Sequence, residues 1–171
     1  MKSECYIDTD SGESELHKLV NVLKPNSNNK IVLLMHMNGC GHCHNMQRDW
    51  ELMVDDLVKN KEETLKRNNA YISRIESENL QNIPQQYSTS GFPHIVYINN
   101  DKIQDTYNGP RVKDAMRKWA MSKLVNKSKK HRTKHRTKHR TKHRNRKNLP
   151  KIQQLFTNRN KENILKDITN S

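Results

Sequence analysis

Cys40 and Cys43, in the run Cys40-Gly41-His42-Cys43, stand three positions apart. Two thiols at that spacing can close into a disulfide within one helical turn and so exchange an electron pair with another dithiol. The same spacing serves two other chemistries. With His44 it reads C-x-x-C-H, the attachment pattern of c-type haem, and a C-x-x-C pair is half of many zinc sites. Haem attachment requires an exported chain and a second axial ligand. A structural zinc site requires two further ligands nearby. No second C-x-x-C exists, and the ladder His131, His135, His139, His143 begins 88 residues after Cys43. The pattern therefore favours redox chemistry with neither a bound cofactor nor a metal.

The elements around the pair supply a mechanism. Ile31-Val32-Leu33-Leu34-Met35 is a continuous apolar run, as in a strand buried on both faces of a parallel sheet. After the cysteines, Met46, Trp50, Met53 and Leu57 recur at i, i+4, i+7, i+11, the stripe of a long amphipathic helix reaching about Lys66. A helix beginning at Cys40 turns its free N–H groups and positive dipole end toward that sulfur, which favours thiolate over thiol. Cys40 is then the attacking nucleophile, and His42 adds positive charge when protonated. Cys43, one turn inside, is the resolving thiol that displaces product from the mixed disulfide.

The rest of the chain reads as the frame for this unit. Asp10 with Glu13 resembles a capping box, followed by the apolar face Leu16, Leu19, Val20, Leu23, with Pro25 as the stop. A strand is expected at 70–75, a brief helix at 79–87 interrupted by Pro84, and a strand at 94–98. A hairpin partner follows at 102–107, and a last helix is marked by Val112, Met116, Trp119 and Ala120. Helices covering a mixed sheet make an α/β sandwich.

Three motifs together resemble the thioredoxin-like family. The CGHC of residues 40–43 is similar to the active site of protein disulfide isomerase domains. Gly91-Phe92-Pro93 lies just before an apolar strand, and Asn108-Gly109-Pro110 before the last helix is a weaker match. The resemblance covers residues 10–125 and implies a three-layer α/β/α sandwich with a mixed central sheet. It implies a thiol–disulfide oxidoreductase in which Cys40 and Cys43 form the redox-active disulfide, Gly41 and His42 modulate it, and protein disulfides or dithiols are the substrates. It further implies that Pro93 is cis and, with Phe92, holds the substrate strand. Three departures bear on rate and proton transfer: Gly39 replaces a tryptophan, Leu34 a buried acid, and Arg48 a helix-kinking proline. His36 and His44 are the candidates to take over from the acid. CGHC leans toward disulfide formation or isomerisation, whereas a reducing compartment pushes the same couple toward reductase work.

Charge divides the chain. Residues 1–125 hold sixteen Lys/Arg and sixteen Asp/Glu, so the whole net charge of +14 resides in 126–171. There His131-Arg132-Thr133-Lys134 repeats, and residues 131–147 contain nine Lys/Arg and no acid. Such a segment cannot bury enough apolar surface to offset its ordering entropy, so a disordered basic C-terminal tail is expected. The expected organisation is a flexible 1–9, a domain at 10–125, the basic repeat at 126–148, and a disordered or weakly helical 149–171. The cations of 129–147 suit nucleic acid or another polyanion, bound without sequence preference and weakened by salt. A second reading follows: a thioredoxin scaffold targeted to nucleic acid by this segment, with little redox turnover. The first residues carry no apolar h-region and no run approaches a membrane span, so a monomer in the cytoplasm is expected, with nucleus or virion as alternatives. The Asn/Lys-rich composition suits an AT-rich genome such as that of a large cytoplasmic DNA virus. Cys5 is the odd thiol, read as a spare near a mobile terminus.

Overall fold

The apolar run 31–35 lies at the centre of the sheet, where both faces of a strand must be apolar. In the computed structural model, which describes residues 3–125, it forms β2 (Lys30–His36). β2 pairs in parallel with β3 (Ala70–Glu76), register Lys30–Ala70, and antiparallel with β4 (His94–Asn99), register Lys30–Asn99. β1 (Tyr6–Asp8) runs parallel along the far side of β3, and β5 (Lys102–Thr106) antiparallel along β4. The order β1-β3-β2-β4-β5 is a mixed five-stranded sheet.

Strand alternation sends neighbouring side chains to opposite faces. Ile31, Leu33 and Met35 pack with Leu19 and Val22 of α1 (Glu13–Val22) on one side. Val32 and Leu34 pack on the other with α2 (Gly41–Arg67) and α3 (Lys113–Leu124). The result is the three-layer α/β/α sandwich. The stripe Met46, Trp50, Met53, Leu57 is buried as its spacing predicts, joined by Val54 and Leu65. Each such side chain contributes about 1.5–3 kcal/mol of apolar burial. That face seats the N-terminus of α2 at the C-terminal end of β2. Among the described residues, no helix is long and apolar enough to cross a membrane.

The structure departs from the sequence expectations at several places. Tyr6–Asp8 is a strand rather than part of a flexible terminus, with Ile7 fully buried. Three residues carry too little periodicity to announce a strand, and β1 exists only because β3, more than sixty positions away, supplies its hydrogen bonds. Cys5 is accordingly a core residue, 2% exposed. The capping box does not form: Gly12 is the N-cap of α1, and Asp10 sits in a 3-10 turn over Thr9–Ser11 that Asp8 caps. The brief helix at 79–87 resolves into two 3-10 turns, Ser77–Asn82 and Gln85–Tyr87, on either side of Pro84. Val112 is the exposed N-cap of α3 instead of a member of its apolar face. The basic repeat and the 149–171 segment lie outside the described residues.

Candidate active site

Cys40 is the N-cap of α2, with extended backbone angles (φ −81, ψ 114), so the helix begins one residue later than the motif. The N–H groups of Cys43 and His44 donate to its carbonyl at 3.0 Å, closing the first turn. Gly39 turns the chain into this position at φ +77, a conformation that side chains strain and glycine adopts freely. The replacement of the family's tryptophan by Gly39 therefore coincides with a backbone need. Cys40 is partly exposed and Cys43 buried, 8% accessible.

The two thiols differ in proton affinity. Cys40 is held below the ordinary thiol range, first by the hydrogen bond from the Cys43 thiol and then by the Cys43 N–H. The His42 N–H and the positive Arg111 add to this, against the opposing effect of burial. Cys43 is pushed up to about 11, chiefly by burial. Opposite shifts on two thiols one turn apart, one favoured as thiolate and the other kept protonated, are what a two-step exchange can use.

The opposite wall comes from the loop before β4. The Phe92–Pro93 peptide bond is cis. Cys40 Sγ donates to the Phe92 carbonyl at 3.8 Å, and Arg111 Nη2 donates to the Pro93 carbonyl at 3.4 Å. Phe92 packs against the α1 side of the core, which ties the loop down. The structure thus brings Cys40, Cys43, Phe92 and Pro93 together. His42 is exposed and acts on the sulfur through its backbone; no atom lies within 4 Å of a Cβ built on Gly41, so nothing in the packing demands that glycine. His44 is exposed as well.

Arg111 escaped the sequence reading, although it follows directly on Asn108-Gly109-Pro110. Gly109 is fixed there by close approach, since a Cβ would lie 2.7 Å from the Tyr107 hydroxyl, which itself donates to the Pro110 carbonyl at 2.6 Å. Behind the thiols a cavity of about 150 Å³ is bounded by Cys40, Cys43, Trp50 and Pro93 and by four further charged or titratable groups, Asp10, His36, His44 and Arg74. Leu34, where the family carries an acid, is an apolar part of its wall.

The thioredoxin family model matches residues 13–122. The chain is 28% identical over 72 residues to a thioredoxin domain-containing protein 5 homolog of Drosophila melanogaster, a stretch covering 42% of this chain and 16% of that protein. It thus spans about a sixth of the length of that curated relative. Its fold is similar to the J-Trx1 fragment of ERdj5, with a TM-score of 0.51 at 18% identity over 70% of this chain and 51% of that one. It is also similar to the first two thioredoxin domains of Naumovozyma dairenensis Eps1p, with a TM-score of 0.52 at 18% identity over 64% and 39% of the two chains. At these identities the structural likeness speaks for the fold.

Proposed function

The chain belongs to the thioredoxin family, and on that premise we propose that it is a thiol–disulfide oxidoreductase acting on protein disulfides or dithiols through Cys40 and Cys43. One observation carries the reading: a partly exposed Cys40 with lowered proton affinity, capping a helix and stacked over a buried, protonated Cys43. The Cys40 thiolate attacks one sulfur of a substrate disulfide, forming a mixed disulfide and releasing the other substrate sulfur as thiolate. Cys43 then attacks Cys40, the intramolecular disulfide forms, and the second substrate sulfur leaves reduced. The backbone of Phe92, whose carbonyl lies 3.8 Å from the sulfur, and of Pro93, which lines the same cavity, holds an extended substrate strand. Arg111 keeps positive charge near both sulfurs.

Insulin-disulfide reduction by the full chain tests this. Turnover by the parent, lost in Cys40→Ser and retained in a chain ending at Val125, is the expected result. No turnover by the parent, combined with salt-sensitive binding of DNA or RNA, supports the second reading, a scaffold targeted to polyanions by the nine cations of 131–147. The direction of the physiological reaction is read from the reduction potential of the pair. A value near that of thioredoxin, about −270 mV, assigns a reductase, and one near about −180 mV an oxidase or isomerase.

A further inference from the structure

Resolution of the mixed disulfide needs the Cys43 proton removed, and Leu34, at the position of the family's acid, has no group to take it. Cys43 is 8% exposed and opens onto the cavity behind the thiols. The titratable side chains on that cavity are Asp10, His36, His44 and Arg74, with Cys40 on its rim. Arg74 and Asp10 are held charged. Arg74 Nε and Nη2 donate to both carboxylate oxygens of Asp8, at 2.7 and 2.9 Å, and Nε lies 3.2 Å from Asp10 Oδ2. Asp10 stays below the usual carboxylate range although burial alone would raise it, chiefly because His36 hydrogen-bonds it, with the Arg74 guanidinium beside it. His44 is exposed. His36 remains: its side chain is 15% exposed and its Nε2 lies 3.1 Å from Asp10 Oδ2 and 3.3 Å from Oδ1.

We propose that His36, oriented by Asp10, is the proton acceptor for Cys43 across this cavity, in the place where Leu34 provides none. The inference rests on the oxidoreductase reading above. With Nε2–H donating to Asp10, the free Nδ1 is the acceptor nitrogen. A cavity of about 150 Å³ has room for water to pass the proton. The Cys43 S–H bond breaks, and its proton goes by way of this water to His36 Nδ1. The Cys43 thiolate attacks Cys40 Sγ, the Cys40–Cys43 bond forms, and the Cys40–substrate bond breaks. The Cys pair is oxidised by two electrons, the substrate sulfur leaves as the reduced thiolate, and the His36 imidazolium returns its proton to it or to solvent. Asp10 is the positioning residue: its fixed negative charge stabilises the imidazolium as it forms. The other charged or titratable groups around His36 are Glu76, its register partner on β3; Arg74, paired with Asp8 and 3.5 Å from Glu51 of α2; and His44 at the start of α2, on the same cavity, whereas His94 of β4 pairs with Met35 and so lies on the opposite face of the sheet.

The test mixes the reduced full chain with 5,5′-dithiobis(2-nitrobenzoate) in a stopped-flow instrument. Cys40 attack releases the first thionitrobenzoate, and Cys43 resolution the second. In His36→Gln, which can still donate to Asp10, the first release persists while the second slows about 10²-fold at neutral pH. Its pH profile then rises log-linearly with hydroxide. Asp10→Asn slows the second release less, and imidazole restores it in His36→Ala. A second release with the parent's rate and pH profile in His36→Gln and Asp10→Asn overturns the proposal. So does slowing that leaves the pH profile unchanged and that imidazole does not relieve. Failure of the first release in the parent sinks the oxidoreductase reading instead.

Discussion

Cys43, in the first turn of α2, and Cys5, packed against the later part of the same helix, are both buried thiols pushed up to about 11 by desolvation. Their neighbourhoods differ in every other respect. Cys43 hydrogen-bonds a second sulfur that caps the helix, where backbone N–H groups are free and Arg111 adds positive charge. Cys5 Sγ donates to the Glu62 carbonyl at 3.9 Å, and the carboxylates of Glu62 and Glu4 oppose its ionisation further, with Lys66 only partly compensating. Burial alone makes an inert thiol. Chemistry requires a partner sulfur at the donor-rich end of the helix and a cavity through which a proton can leave.

The largest test of this contrast is activity. Cys40→Ser lowers insulin reduction by at least about 10³-fold, Cys43→Ser accumulates mixed disulfides that gel electrophoresis without reductant detects, and Cys5→Ala stays within about twofold of the parent. Loss of turnover in a folded Cys5→Ala protein breaks the comparison. Next in size is alkylation of the native reduced chain by iodoacetamide near pH 7, followed by mass spectrometry. Cys40 reacts at least about tenfold faster than Cys43 or Cys5, and denaturant levels the three.

Stability against pH separates the same groups. Cys5 and Cys43 have their affinity for protons raised from 9.0 to about 11 on folding. Their contributions are complete below pH 9 and are lost as pH climbs toward 11. Cys40 has the opposite sign: its contribution is present above the unfolded thiol value and is lost as pH falls through its lower folded value. Urea denaturation of the reduced protein therefore shows a decline from pH 9 to 11, and Cys5→Ala makes that decline shallower. The smallest effect belongs to the approach to the site. Gly39→Ala meets open space but a φ of +77, and costs about 1 kcal/mol of stability.

Long elements could be read from local pattern. The run 31–35, the stripe Met46-Trp50-Met53-Leu57 and the hairpin around Asn99–Lys102 announce themselves, because burial on both faces, a 3.6-residue period and a tight turn leave marks in adjacent residues. In the hairpin, Asn100 and Asp101 adopt the positive φ values such turns require. β1, the core position of Cys5 and the 3-10 turn over Thr9–Ser11 left no such mark. A three-residue strand is made by its partner, and an Asp10–Glu13 spacing cannot reveal that Asp10 is drawn off to His36 and Arg74.

The CGHC and its placement after a buried strand were determined by residue order alone, since a helix N-terminus and two thiols one turn apart are local facts. Only the tertiary structure decided what surrounds them. Pro93 and Arg111 arrive from 50 and 68 positions beyond Cys43, and Asp10 and His36 from before it. They meet at the thiols because β1, β3, β2 and β4 follow one another across one sheet, in an order that chain position does not follow.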